Sequence, residues 1–270
     1  MLKRTFVFIL FVIFGLGVQS FAQTPEVIEN YDLKRYNPKK YGLKDLAFEV
    51  RYENLTKQMK ERLNTDDISD VYFKVLWIFP GKFDISVEGL PKGFKEIKRE
   101  LRAMVKTRLD MVIPSKMQGS LRSYSMKVQK KGNGKRVIAK DPSNSKAINK
   151  VYLDFANSGK LRRVKTFSPM GTNVSKMEMS AKSWSNNKWV TDRTESKTIS
   201  GVQITKIIQK IEYKGVGGFG FPGKMTTKTI QQLVKNGGKK SKEMRNEESQ
   251  TITFSNYQVN EDKAKNLLIE

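Results

Sequence analysis

"VYFKVLWIFPGKFDISVEGLP" runs from Val71 to Pro91. Its first nine residues are apolar apart from Lys74, in a chain of formal net charge +24. Aromatic and β-branched side chains favour strands, and Pro80-Gly81 interrupts the run, so the stretch reads as a hairpin of strands 71–79 and 83–90. With Pro80-Gly81-Lys82 as the loop, Phe79 faces Phe83. Trp77 then faces Ile85 and Val75 faces Val87 on one side, while Lys74 falls opposite Glu88 on the other. A slip of one residue would break each of these pairs. Tyr72, Leu76 and Ile78 make the second face apolar as well, so it needs a cover, either a helix or a bound apolar ligand.

The segment that follows, "KGFKEIKRELRAMVKTRLDMVIP", offers such a cover. Phe94, Ile97, Leu101, Met104, Val105, Leu109 and Val112 form one stripe at helical spacing. Lys95, Lys98, Arg99, Arg102, Lys106 and Arg108 lie mostly on the other side. This predicts an amphipathic helix over 94–112, ended before Pro114. It suits packing against a core; a basic amphipathic helix also suits an anionic membrane surface.

On the N-terminal side, "LAFEVRY" alternates as a half-buried strand, and "NLTKQMKERL" places Leu55, Met59 and Leu63 at helical spacing. Residues 23–45, with "YDLKRYNPKKYGLKD", show no clear period and read as a basic leader or loosely docked arm. After Ser120 the chain is rich in strand signals. Turns are expected at Gly132-Asn133-Gly134, at Asn157-Ser158-Gly159 and at Asn186-Asn187. A two-residue turn at Asn186-Asn187 would set Trp184 directly opposite Trp189. "GVQITKIIQKIEYKGVG" and "GFPGKMTTKTIQQLV" give two more strands, and "GGKKSKEMRNEES" reads as a hydrophilic loop. "QTITFSNYQVN" is the last strand and 261–270 a short tail helix. About ten strands and one long helix result: a mainly β, α+β chain, built as a curved antiparallel meander or incomplete barrel wrapped on a helix. The expected division is a signal peptide 1–22, the leader 23–45, one β domain 46–260 and the tail 261–270.

The N-terminus sets the compartment. Lys3 and Arg4 precede an apolar run from Thr5 to Val18, then Ser20-Phe21-Ala22. That is the pattern of a secretory signal peptide cleaved after Ala22. The run is shorter than the roughly 20 residues of a membrane-spanning helix. An exported, periplasmic protein is expected. With no cysteine it carries no lipid anchor of the bacterial lipoprotein type, no disulfide and no thiolate site. The absence of histidine removes the Ser-His-Asp and Cys-His nucleophile schemes and the usual zinc and haem ligands. No enzyme activity and no cofactor or metal are expected.

Three other patterns carry less. "GVGGFGFPGK" is glycine-rich but lacks a G-K-[ST] ending, so it reads as a strand bend or a loop exposing Phe219 and Phe221, not a phosphate cradle. Asp66, Asp67 and Asp70 do not match an EF-hand spacing and suit a solvated turn. The basic runs around 34–40, 127–136, 162–165 and 235–242 predict attraction to polyanions. In an exported protein these are anionic membrane surfaces, lipopolysaccharide or cell-wall polymers. Nucleic acid fits the charge but not the export signal, and no recognition module is visible.

The order of elements resembles the LolA-like superfamily of periplasmic outer-membrane lipoprotein carriers. The resemblance rests on the "PGKFDISVE" hairpin after a helical element, the "GKLRRVKTFSPMG" hairpin, "GGFGFPGKM" and the terminal "TITFSNYQVN", spanning roughly 46–260. It implies an incomplete antiparallel barrel curled around helices, with apolar space between them for acyl chains. On that reading the cavity face comprises Phe48, Val50, Phe73, Val75, Trp77 and Phe79, with Ile85, Leu101 and Met104 beside them. The partner would be lipid acyl chains or a lipidated protein. No residue here matches the Arg with which some of these carriers hold a lid closed. An ordinary dry core accounts for the same residues. The alternative function is then an exported adaptor that docks an anionic polymer or a protein through its basic surface. The oligomeric state is left open.

Overall fold

The computed structural model describes residues 24–234 and 240–269; the expected signal peptide 1–22 lies outside them. Twelve strands form one open antiparallel sheet: β1 (Asp45–Tyr52), β2 (Tyr72–Ile78), β3 (Lys82–Glu88), β4 (Ser125–Lys131), β5 (Gly134–Lys140), β6 (Lys150–Phe155), β7 (Leu161–Ser168), β8 (Gly171–Ala181), β9 (Trp189–Ser200), β10 (Gln203–Val216), β11 (Phe219–Val234) and β12 (Lys240–Val259). Their order is β3-β2-β1-β12-β11-β10-β9-β8-β7-β6-β5-β4, a curved meander that never closes into a barrel. Every pairing joins sequence neighbours except that of β1 with β12, and β3 and β4, consecutive in the chain, form the two edges. Residues 245–249, expected in a loop, belong to β12 and pair with β11.

The 71–91 hairpin forms, with its register two residues from the expected one. Ile78 pairs with Lys82, so Trp77 faces Phe83, Val75 faces Ile85 and Phe73 faces Val87. The loop is Phe79-Pro80-Gly81 instead of Pro80-Gly81-Lys82. A two-residue shift preserves which face each side chain takes, because the side-chain period of a strand is 2. The apolar stripe therefore survives the change. Burying Phe73, Val75 and Trp77, each under 5% exposed, stabilises by about 1.5–3 kcal/mol per side chain.

The two covers of this hairpin come from the segment that follows it and from the far end of the chain. On the face of Phe73 and Val75 lies α3 (Lys95–Lys106), which buries Leu101 and Val105 and packs along the edge strand β3. The expected 94–112 helix breaks at Thr107-Arg108 and resumes as the single turn α4 (Leu109–Val112). On the opposite face Ala47 is buried, and Leu76 and Ile78 are half-buried. Their cover is the tail helix α6 (Lys263–Ile269), which packs on β1 and β2. Asp45 accepts the Lys265 backbone N–H at 2.6 Å, and Asn260 accepts the N–H groups of Lys44 and Asp45, which fixes where that helix starts. The curved sheet thus carries the amphipathic α3 on its inner face, as expected, and α6 on the other.

Register tracing from β1 to β4 places two hydrophobic clusters on one and the same face, the inner face. The first contains Val50, Phe73, Val105, Phe221, Met225 and Phe254, with α2 (Leu55–Leu63) and α3 over β1–β3, β11 and β12. The second contains Val137, Leu153, Phe155 and Leu161 of β5–β7, under α1 (Glu26–Lys34) and α5 (Met117–Leu121). The leader is therefore not a loose arm. Val27, Ile28 and Tyr31 sit at helical spacing and anchor α1 on the second cluster, and Asp32 accepts the Met117 and Gln118 N–H groups at 2.9 Å, binding α1 to the start of α5.

Two turns also differ from expectation. Asn186 and Asn187 both adopt positive φ, but a 3-10 turn at Ser183–Ser185 precedes them, so Ala181 and not Trp184 faces Trp189. Gly217 and Gly218 supply the two positive φ values of a two-residue hairpin loop. Phe219 and Phe221 beyond it are buried, the latter completely, so this glycine-rich segment exposes neither ring.

Candidate functional site

The nine expected cavity residues separate on inspection of the fold. Phe48, Val50, Phe73, Val75, Trp77, Ile85 and Leu101 are buried together in the first cluster, and Met104 packs half-buried against it. They touch one another as tightly as core side chains do, because β1, β2 and β3 present them on the same face and α3 closes over them. Phe79 lies apart. It occupies the hairpin loop with 59% of its surface exposed, so it lines no enclosed space; the register shift put it in the turn.

The most sheltered hollow among the described residues lies elsewhere on the inner face, in the strip between the two clusters; Phe48 and Val75 also line a more open cleft beside α6. A cavity of about 170 Å³ is floored by β8–β11 and roofed by residues 110–114. Met111, Val112, Met177, Val190, Ile211 and Tyr213 give it an apolar lining, and Thr194 and Gln209 stand at a polar end. The roof is a strap: it carries the chain from α4, over the first cluster, to α5, over the second.

Hydrogen bonds from the leader hold the strap down. Arg35 donates to the Ser115 carbonyl at 3.3 Å and to Asp110 at 3.1 Å. The other Asp110 oxygen accepts the Ser115 N–H at 2.6 Å. Buried Asn37 donates to the Pro114 carbonyl at 2.9 Å. The leader is itself stitched to the sheet, since Tyr36 donates its N–H to the Trp189 carbonyl at 2.9 Å. Its hydroxyl accepts the Gly220 N–H at 3.1 Å. Burial works against the charge on Arg35. Tyr31 and Asp110 outweigh it and hold the guanidinium pKa above its ordinary value.

Aromatic side chains wall one side. Tyr36 meets Trp184 edge-on with centroids 5.0 Å apart, and Trp184 tilts against Tyr213 at 5.4 Å. Gly220 makes this possible, because a β-carbon there would overlap the Trp184 indole. Burial drives the Tyr213 phenol well above its ordinary pKa, with Asp192 adding to the effect. Its hydroxyl donates to the Thr191 carbonyl at 3.0 Å. Tyr213 is thus a neutral donor at any physiological pH.

Beyond the polar end, the inner face of β8–β10 is an uncharged shelf of hydroxyls and amides. Thr194 donates to Gln209 at 3.1 Å, Ser175 and Ser196 meet at 2.7 Å, and Asn173 donates to Thr198 at 2.8 Å. The opposite face of the same strands carries paired charges instead, with Arg193 on Glu178 and Glu195, and Lys206 on Glu195. The alternation of strands sorts neutral polar groups to one face and ions to the other. Among the described residues no cluster of three or more His, Cys, Asp and Glu is placed to hold a metal ion, and no helix is long and apolar enough to cross a membrane.

Arg35, Asn37, Asp110, Met177, Ile211 and Tyr213 were not picked out from the sequence. One signal was present: Val27, Ile28 and Tyr31 have helical spacing within a segment otherwise dominated by charge. The partners of Arg35 lie 75 and 80 residues away in the chain, a distance no local pattern reports.

No family model matches the chain, and no curated protein matches it. Among solved structures it is similar to a LolA superfamily protein from Nitrosomonas europaea, over 89% of this chain and 94% of that one, at 10% identity and a TM-score of 0.28. It is also similar to MucB in complex with MucA(peri), over 89% and 93%, at 10% identity and a TM-score of 0.17.

Proposed function

We propose that this is an exported binding protein that holds an apolar chain, the acyl chain of a lipid or of a lipid-modified protein, in the inner-face cavity beneath the 110–114 strap. The observation that carries this reading is the gap itself. Two hydrophobic clusters pack on one sheet face, and the strip between them has an apolar void under a strap tied by polar contacts.

The volume decides how such a site would work. At about 170 Å³ the void is smaller than the roughly 300–1,000 Å³ of small-molecule sites, so an acyl chain enters only when the strap lifts. Lifting exchanges the charge-assisted bonds of Arg35 for water, at about 1.5–3 kcal/mol per bond, reduced by the exposure of Asp110. An open state a few kcal/mol up is populated at roughly 0.1–10%, enough for loading without leaving the cavity open to water. The chain then lies between Met177, Ile211 and Val190, and its polar head meets the neutral donors and acceptors of the β8–β10 shelf. The role is binding, not catalysis, and export follows from residues 1–22.

Titration with a fluorescent fatty-acid probe tests this reading. The protein is expected to take up the probe, and Ile211→Glu or Met177→Glu, each placing a carboxylate in the void, to abolish uptake while retaining the wild-type circular dichroism. Leu267→Glu on the exposed side of α6 is expected to leave uptake unchanged. Uptake at wild-type affinity by both cavity variants would rule the site out.

A further inference from the structure

The outer face of β4–β7 holds the most concentrated positive charge on the described sheet. Register tracing aligns Lys127, Ile138, Tyr152 and Lys165 in one row across the four strands. The row beside it carries Arg136, Asp154 and Arg163, and the row on the other side Lys140, Lys150 and Phe167. Asp154 is the single carboxylate on this face of the four strands, and it is neutralised by Arg136 at 2.5 and 2.8 Å and Lys131 at 3.0 Å. The described helices of this region, α1 and α5, pack with the second cluster on the inner face and leave the outer face to the strands' own side chains.

The two aromatic rings sit among the cations. Lys150 lies over both Tyr152 and Phe167, with its ammonium 5.0 and 5.2 Å from the ring centroids, Arg136 over Tyr152 at 4.9 Å and Lys165 over Phe167 at 4.6 Å. A hydrogen bond from Lys150, aided by the charges of Lys150, Arg136 and Lys140, brings the Tyr152 phenol below its ordinary pKa.

We infer that this face docks on a bilayer surface carrying anionic phospholipid headgroups. The arrangement favours a plane over a strand-like polymer. Strands about 4.8 Å apart spread the cations in two dimensions, over three rows and four strands. A headgroup surface offers anions in both dimensions of that array. The long apolar stems of Lys and Arg, together with Tyr152 and Phe167, suit the interfacial layer where amphipathic side chains settle. The inference is independent of the cavity, which opens on the other face. A protein docked this way presents its cavity side away from the membrane.

Vesicle flotation of the full protein tests it, with phosphatidylcholine vesicles compared with vesicles that also contain phosphatidylglycerol. Binding is expected only in the presence of phosphatidylglycerol and is expected to fall steeply with added salt. Each charge removed should weaken binding by about fivefold. The pair Lys150→Glu and Lys165→Glu should abolish flotation, and the milder Arg163→Gln with Lys165→Gln should reduce it more than tenfold. Lys98→Glu with Arg102→Glu on α3 should leave it near wild type. Failure to float with phosphatidylglycerol would overturn the inference. So would an equal loss in the α3 variant, which would mean charge acts without regard to place. Capture by soluble dextran sulfate without vesicle binding would also overturn it and assign the face to a polymer. Fatty-acid uptake by the β6–β7 variants separates this result from the cavity reading, because those substitutions lie on the opposite face.

Discussion

Arg35 and Asp110 meet at 3.1 Å across the space between the leader and the strap, an ion pair that helps join the two halves of the inner face. Arg35 belongs to the segment anchored on the second cluster. Asp110 belongs to a turn resting on the first. Replacing Arg35 by Met keeps most of the apolar stem and removes both hydrogen bonds. The expected outcome is a stability loss of about 1–2 kcal/mol, with faster hydrogen exchange at 109–116 and little change in β5 and β6. Exchange mass spectrometry reads this directly. Uniform acceleration would mean that the contact supports the whole fold instead of gating the strap.

Gly220 and Trp184 form the second dependence. Gly220→Ala is expected to cost about 1–3 kcal/mol, the usual range for overpacking, and to displace the indole from Tyr36 and Tyr213. In a Trp184→Ala background the same substitution should cost far less. The coupling between the two changes, measured by denaturant unfolding, checks the claim.

The buried and exposed members of the hairpin separate by stability. Phe73→Ala removes a fully buried ring and should destabilise by about 3–5 kcal/mol. Phe79→Ala, in the loop, should stay within about 0.5 kcal/mol of wild type. Equal effects would contradict the register in which Trp77 faces Phe83.

Asp141 supplies a pH dependence. Its carboxylate accepts the Lys146 N–H at 2.9 Å, with the Ser143 hydroxyl at 2.8 Å and N–H at 3.3 Å and the Lys146 ammonium at 3.5 Å. These hold its pKa down at about 2. A depressed carboxylate pKa contributes stability that is complete above the unfolded value near 4 and is lost as pH falls through the folded value. Asp141→Asn should therefore lower the thermal midpoint at pH 7, and the difference from wild type should shrink between about pH 4 and pH 2. A difference that persists unchanged at pH 2 would point to packing.

Much of the fold is legible in the sequence, because strand alternation and turn chemistry are local. Val75, Trp77 and Ile85 share a face whichever three-residue loop closes their hairpin, and Asn186 and Asn187 take the positive φ their chemistry allows. Legibility ends where distant segments compete for one surface. The apolar second face of β2 asked for a cover, and residues 263–269 supply it from the far end of the chain; periodicity pointed to the adjacent 94–112 segment. The candidate site was less legible. Ile211 and Met177 look like ordinary strand residues, and Arg35 looks like one more cation in a basic leader. Only the sheet order, which puts β8–β11 between the two clusters, makes them neighbours.

On the proposed function, the void under the strap holds an acyl chain. The most direct test is native mass spectrometry of the protein purified without detergent, followed by solvent extraction. A co-purifying lipid or fatty-acid mass is expected near one per chain, and is expected to be absent from a folded Ile211→Glu variant. A protein of bare polypeptide mass that also refuses the fluorescent fatty acid would contradict it.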